Sequence, residues 1–196
     1  MTVFEEAICF AVKAHAGQLR KRTRVPYIIH PLEVASICAT LTSDLEVLAA
    51  AVLHDTVEDT EVTIEEIERS FGPRVAALVR AETENKYEEL PPSETWKLRK
   101  SQSLEVLKNS EDPGVRILWL GDKLANVRSF YRNWMISGDE IWQDFNQKDP
   151  GQQAWYYRNI VELLKELHDT DAWLELRDTV QALFGNDHDQ KGPESQ

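Results

Sequence analysis

The chain has 196 residues, 42% of them hydrophobic with six Trp, six Phe and five Tyr, which is enough apolar material for the core of one domain and too much for a disordered chain. A formal net charge of −12 repels nucleic-acid backbones at long range and excludes a general DNA or RNA binder. The longest aliphatic run, Val47–Leu53, is about one third of a bilayer-spanning helix, no basic-then-apolar leader opens the chain, and Cys9 and Cys38 form no Cys-x-x-Cys pair, so we expect a soluble cytoplasmic protein with buried thiols and no membrane partner.

In chain order, Thr2-x-x-Glu5 opens a first helix as a capping box, in which a hydroxyl and a carboxylate reciprocally satisfy free N–H groups. Arg20–Arg24, "RKRTR", then places four cations in five positions. On charge pattern alone this is a solvated loop; its sharper reading is a local phosphate receptor. Val25–Ile29 is a candidate extended piece, and His30 stands as the cap of a helix starting at Pro31-Leu32-Glu33. Ser43-x-x-Glu46 opens a helix expected to run from Leu45 to about Glu58, and Thr63-x-x-Glu66 opens the next. Phe71-Gly72-Pro73 ends that helix and starts another, since glycine accepts the left-handed cap and proline suits a first turn. Asn85–Ser93 is a polar loop ending in Pro91-Pro92, Asp112-Pro113 is a further helix start, and Ser137–Gly151 is a connection anchored by Trp142 and Phe145.

Between these marks apolar residues recur at three and four, as in Val75, Leu78, Val79 and Ile160, Leu163, Leu164, Leu167. The fold class is all-α, a bundle of about eight to ten helices with room for one short extended hairpin. One domain is expected over residues 1–184, with a disordered tail over 185–196, where no aliphatic or aromatic residue occurs.

The chemistry concentrates at "AAAVLHDTVEDT", residues 49–60, where an apolar run ends in His54, Asp55, Glu58 and Asp59. Burying such groups costs several kcal/mol unless they are paired or metal-bound. If the segment is one helix, Glu58 stands one turn beyond His54 and Asp59 one turn beyond Asp55. "YIIHP" supplies His30, and "WLGDKLAN" supplies Asp122 within an apolar helix, with Asn126 one turn later. His30, His54, Asp55 and Asp122 are candidates to converge from three helices. Their mixed nitrogen and oxygen set suits Mn, Fe or Zn better than Mg or Ca, whereas a salt bridge between helices would also account for Asp122.

The ordered segments "AHAGQLRK…VPYIIHPLEVA", "AAAVLHDTVEDT", "FGPRVAALV" and "GDKLANVR" resemble the successive signatures of the histidine-aspartate (HD) domain phosphohydrolases, in particular the RelA/SpoT-type alarmone hydrolases and their small single-domain relatives. The resemblance implies an HD-domain helical bundle with one divalent metal, typically manganese, held by His30, His54, Asp55 and Asp122. It implies that Glu58 and Asp59 orient and activate the attacking water, that Arg20 and Lys21 contact base and phosphates, and that Asn126 holds the nucleotide. Tyr156 matches a ribose-contacting tyrosine by register. The implied reaction releases pyrophosphate from the 3′-diphosphate of guanosine tetra- or pentaphosphate.

Several positions depart from that pattern. Arg20–Tyr27 lacks the usual glycine and is a residue longer than the common form, Gly121 replaces an alanine, and Glu82 stands where an apolar residue is common. The reaction type is therefore better supported than the guanosine base. Alternatives are a phosphohydrolase of another nucleotide or of a sugar phosphate, and a non-catalytic nucleotide-binding sensor, against which the retained Glu58 and Asp59 argue. His15 is expected to be a hydrogen-bonded core residue beside the site, His168 and His188 to be exposed, and Arg99, Lys100 and Arg128 either to bind phosphate or to line helix faces.

Overall fold

The computed structural model describes residues 1–85, 87 and 89–185; the tail expected to be disordered falls, apart from Gly185, outside the described residues. The elements are α1 (Val3–Ala14), α2 (Ile29–Cys38), α3 (Leu45–Leu53), α4 (Thr56–Asp59), α5 (Ile64–Phe71), α6 (Pro73–Glu82), α7 (Pro92–Asn109), α8 (Pro113–Ser137), a 3₁₀ segment (Gly138–Asp144), α9 (Pro150–Leu163), a short 3₁₀ turn (Lys165–Leu167) and α10 (Asp171–Phe184). The all-α expectation is met. The hairpin is reduced to a single antiparallel bridge between Leu19 and Pro26, flanked by Arg20 N donating to Val25 O at 2.8 Å and Tyr27 N to Gln18 O at 2.9 Å. No helix among the described residues is long and apolar enough to cross a membrane.

Most helix starts follow the anticipated chemistry. Thr2 and Glu5 form the reciprocal box, and the side chains of Thr63 and Asp112 cap α5 and α8. At α3 the cap is Asp44 rather than Ser43. Thr42 Oγ1 accepts from Asp44 N, and the turned Asp44 carboxylate accepts from Glu46 N at 3.0 Å while also binding Arg74 at 2.7 Å. Gly72 adopts φ 92° between α5 and α6, a conformation that costs a residue with a Cβ.

Two helix boundaries shift in ways that matter to the site. α2 begins at Ile29, two residues before the expected Pro31, because His30 N already donates to Tyr27 O and Leu32 N to Ile28 O. Pro31 then occupies a first-turn position that needs no donor. His30 is thus inside the first turn and not its cap. The helix expected to continue to Glu58 breaks after Leu53: the Thr56 hydroxyl donates to Leu53 O at 2.6 Å, Asp55 turns with ψ −7°, and α4 is a separate single turn.

α3 is buried from Val47 to Leu53, as expected of a helix apolar on all sides, and packs against α1, α2, α6 and α8. α8 is the long strut of the bundle, contacting α2, α3, α6 and α10 and burying Leu118, Trp119, Leu120, Leu124 and Val127. α2 and α8 meet at Gly121, where an added Cβ would stand 2.6 Å from Cys38 Sγ and 3.1 Å from Val34 O. Cys38 is buried as expected but Cys9 is exposed, because α1 turns Ala7 and Ala11 inward and residue 9 lies on the opposite face.

Candidate metal centre and active site

Three parts of the fold deliver four ligand-type atoms to one place. His30 comes from the first turn of α2, His54 and Asp55 from the break between α3 and α4, and Asp122 from the buried middle of α8. His30 Nε2 lies 3.1 Å from Asp122 Oδ1 and 3.5 Å from Asp55 Oδ2; His54 Nε2 lies 3.0 Å from Asp55 Oδ2 and 3.4 Å from Asp122 Oδ1. Candidate ligand atoms of His30, His54 and Asp122 fall within 4.8 Å of one another.

Whether this set suits a metal is decided by His54. Its Nδ1 sits 2.9 Å from the Ala51 carbonyl, which requires a proton on Nδ1 and turns Nε2 toward the cluster. That Nε2 is buried without a hydrogen-bond partner although a carboxylate oxygen stands 3.0 Å away. An imidazole tethered through one nitrogen and bare at the other is the arrangement a metal-ligating histidine takes. The donor set fits a divalent metal.

The electrostatics give the same answer. Burial works to raise the Asp122 pKa, but Lys123 and the hydrogen-bonded histidines outweigh it and hold the carboxyl well below the usual range. Asp55 is likewise lowered, His54 and His30 overcoming burial. Burial opposes the His54 imidazolium, yet Asp55 and Asp122 raise its pKa. Two ionised, buried carboxylates thus favour positive charge between them, which a proton on His54 or a divalent ion in its place would supply.

Around this cluster stand residues that orient it. Tyr27 donates to Asp55 Oδ2 at 2.7 Å and reaches Asp59 Oδ2 at 3.1 Å; burial and the Asp55 charge push the phenol pKa upward, keeping it a donor. Asn126 Nδ2 donates to Asp122 Oδ1 at 2.8 Å. Lys123 Nζ donates to Asp122 Oδ2 and Glu82 Oε1, both at 2.6 Å. Burial raises the Glu82 pKa and the Asp122 charge adds to it, while the Lys123 ammonium 2.6 Å away opposes both and favours the carboxylate form. His15 is buried and paired through Nδ1 with Gln18 at 2.8 Å, as expected of a core residue beside the site.

A cavity of about 520 Å³ opens against the cluster. Its lining brings together Glu58, Asp59 and Asn126, the cations Arg20, Lys21, Arg99 and Lys100, and aromatic side chains from Trp96, Phe130, Phe145, Tyr156 and Tyr157. Its volume lies in the range of small-molecule sites. Arg99 and Lys100 are held by Glu84 at 2.6 and 2.5 Å, and Arg22 is paired with Asp144 across the mouth. Arg128 instead binds Glu175 at 2.6 Å outside the cavity lining, so of the three later cations it alone serves a helix-to-helix pair. Tyr156 is 2% exposed, and its hydroxyl is buried without a partner.

The HD domain family model matches residues 7–148, most of the chain and both ends of the ligand set. The chain belongs to the HD domain family. This HD domain is 44% identical over 183 residues to the guanosine-3′,5′-bis(diphosphate) 3′-pyrophosphohydrolase MESH1 of Mus musculus, covering 91% of each chain. It is 42% identical over 127 residues to the guanosine-3′,5′-bis(diphosphate) 3′-pyrophosphohydrolase of Aquifex aeolicus, spanning 65% of the present chain but 18% of that longer relative. A solved structure described as a metazoan ortholog of SpoT that hydrolyzes ppGpp superposes with TM-score 0.75 at 27% identity, over 95% of this chain and 98% of the other.

The ten residues given a metal, catalytic or substrate role from the sequence thus fall at the cluster or in the cavity lining, whereas Arg128 does not. Three contributors escaped sequence reasoning. Tyr27 and Lys123 sit inside motifs that drew attention for other residues, and neither is a metal-ligand type. Glu82 was visible only as an odd carboxylate in an apolar stripe, and its meaning depends on α6 lying beside α8.

Proposed function

We propose that this protein is a metal-dependent nucleotide pyrophosphohydrolase of the cytoplasm that releases pyrophosphate from the 3′-diphosphate of guanosine tetra- or pentaphosphate, or of a closely similar alarmone. The observation that carries the proposal is the convergence of His30, His54, Asp55 and Asp122 beside a cavity whose lining combines Glu58 and Asp59 with cationic and aromatic side chains. The activities named for the relatives of similar length support it.

In this reading His30, His54, Asp55 and Asp122 hold the metal, taken to be Mn2+, with Fe2+ or Zn2+ also compatible with two imidazoles and two carboxylates. A divalent ion supplies Lewis acidity toward a phosphate oxygen when bound. Glu58 and Asp59 orient the attacking water and take its proton, as Asp59 is already held by the Tyr27 hydroxyl at 3.1 Å. The water oxygen forms a bond to the phosphorus attached at the 3′ position as the bond to the 3′-oxygen breaks, and the leaving 3′-oxygen takes up a proton. Arg20 and Lys21 bind phosphate oxygens, and Arg20, 5.7 Å above the Tyr27 ring, presents a planar cation against which a base can stack. Local cations prevail over the distant negative surface within a Debye length of about 10 Å. Asn126 contacts the nucleotide through the edge it does not give to Asp122, and the partnerless Tyr156 hydroxyl takes the ribose. Residues 1–184 form the one catalytic domain.

The deciding experiment is a panel assay with added manganese on guanosine and adenosine 3′-diphosphates, other nucleoside phosphates and sugar phosphates. Pyrophosphate release from guanosine 3′-diphosphates is expected. Orthophosphate release, or binding without product, would replace this reading.

A further inference from the structure

Glu82 has no part in the reaction described above, yet it is buried beside the centre. It ends α6 at 8% exposure, with Oε1 2.6 Å from Lys123 Nζ and Oε2 buried without a hydrogen-bond partner. Lys123 in turn holds Asp122 Oδ2 at 2.6 Å, so the metal-side aspartate faces His30 and His54 with Oδ1 alone. The ammonium lies 4.6 Å from the Trp119 ring, which closes its other side. A buried cation next to a divalent-ion site opposes metal binding unless a second negative charge neutralises it, and Lys123 left to Asp122 alone would draw that carboxylate's charge away from the metal.

We infer that Glu82 is a positioning residue of the metal centre: it holds Lys123 in place and offsets its charge, so that Asp122 presents one fixed, fully charged oxygen to the ion. This rests on reading the histidine and carboxylate cluster as a metal site, but not on the identity of the substrate. An outer partner of a metal ligand is typically worth about 10- to 100-fold in metal affinity, and the inference places Glu82 in that class although two side chains intervene.

The test is Mn2+ titration of the full chain by calorimetry and by electron paramagnetic resonance, without substrate, for wild type, Glu82→Gln, Glu82→Asp, Lys123→Met and the double variant of Glu82→Gln with Lys123→Met, with circular dichroism confirming the fold. Glu82→Gln is expected to weaken Mn2+ binding about 10-fold or more, Glu82→Asp to weaken it less, and the Glu82 effect to vanish in the Lys123→Met background. If Glu82→Gln unfolds, the comparison of Lys123→Met with the double variant still reads whether Glu82 acts through the lysine. Wild-type affinity in Glu82→Gln, or an equal loss with and without Lys123, would overturn the inference while leaving the metal site standing. A wild-type chain that takes up no Mn2+ would overturn both.

Discussion

The two sides of the cavity are built differently. On the metal side His30 rides on α2, Asp122 on α8, and His54 and Asp55 on the turn that ends α3, and three of the four are held by another group: His54 by the Ala51 carbonyl, Asp55 by Tyr27, Asp122 by Asn126 and Lys123, whereas His30 Nδ1 is buried without one. The substrate side combines connections with helices: the loop through Arg20–Arg24 and the 3₁₀ segment with Asp144 on one hand, and Arg99 and Lys100 on α7 and Tyr156 on α9 on the other. There Arg22 and Arg24 adopt φ 66° and 57°, conformations that disfavour residues with a Cβ. The metal cluster is fixed by buried, close-packed elements, whereas part of the recognition surface, the Arg20–Arg24 loop, is a connection in which a residue can be inserted without disturbing the core.

The comparison breaks most sharply at the acid pair. Glu58→Gln is expected to keep the fold and the metal but lose about 10²- to 10⁴-fold in turnover, the usual worth of a positioned acid or base. His54→Ala is expected to lose bound metal along with turnover. Metal content by elemental analysis beside steady-state kinetics separates the two, and unchanged turnover in Glu58→Gln would remove the proposed base.

On the loop side, Lys21→Ala is expected to raise KM about tenfold with a smaller change in kcat, since removing a charge-assisted phosphate contact costs about 1.5 kcal/mol or more. Initial-rate kinetics against substrate concentration measure the split. A fall in kcat alone would move Lys21 from binding into the chemical step.

The helical side should resist packing changes more strongly than the loops. Gly121→Ala places a Cβ 2.6 Å from Cys38 Sγ and is expected to destabilise by about 1–3 kcal/mol in chemical denaturation. Combining it with Cys38→Ala, which removes the clashing sulfur, should recover most of that loss. No recovery would mean that the Val34 carbonyl, 3.1 Å from the same Cβ, sets the limit.

The smallest effect lies far from the cavity, where Arg74 joins Asp44, Glu46 and Asp112 at 2.7–2.9 Å. Hydrogen bonds from Arg74 lower the pKa of Asp44 and Asp112 from 3.8, so the network adds stability above about pH 3.8 and loses it as pH falls through the lower folded values. These groups are about a third exposed, so solvent screening limits the gain to about 1 kcal/mol. Arg74→Met should be less stable than wild type at pH 7 by roughly that amount, with the difference shrinking below pH 3.8. A pH-independent difference would assign the effect to packing.

What the sequence determined by itself is local. Capping residues marked helix starts to within a residue or two, three-and-four periodicity gave the all-α class, and the rarity of His, Asp and Glu inside apolar runs exposed His54, Asp55 and Asp122. These signals are readable because they depend on neighbours three or four positions apart. The break between α3 and α4, at which the Thr56 hydroxyl bonds the Leu53 carbonyl and His54 and Asp55 reach one cluster, leaves no periodic trace. Tertiary structure alone decided that Glu82 reaches Lys123, that Tyr27 contacts both Asp55 and Asp59, and that Arg99 and Lys100 line the same cavity as Arg20 and Lys21. Those contacts join residues far apart along the chain, and they exist only because burying α3 forces α2, α6 and α8 to pack around it.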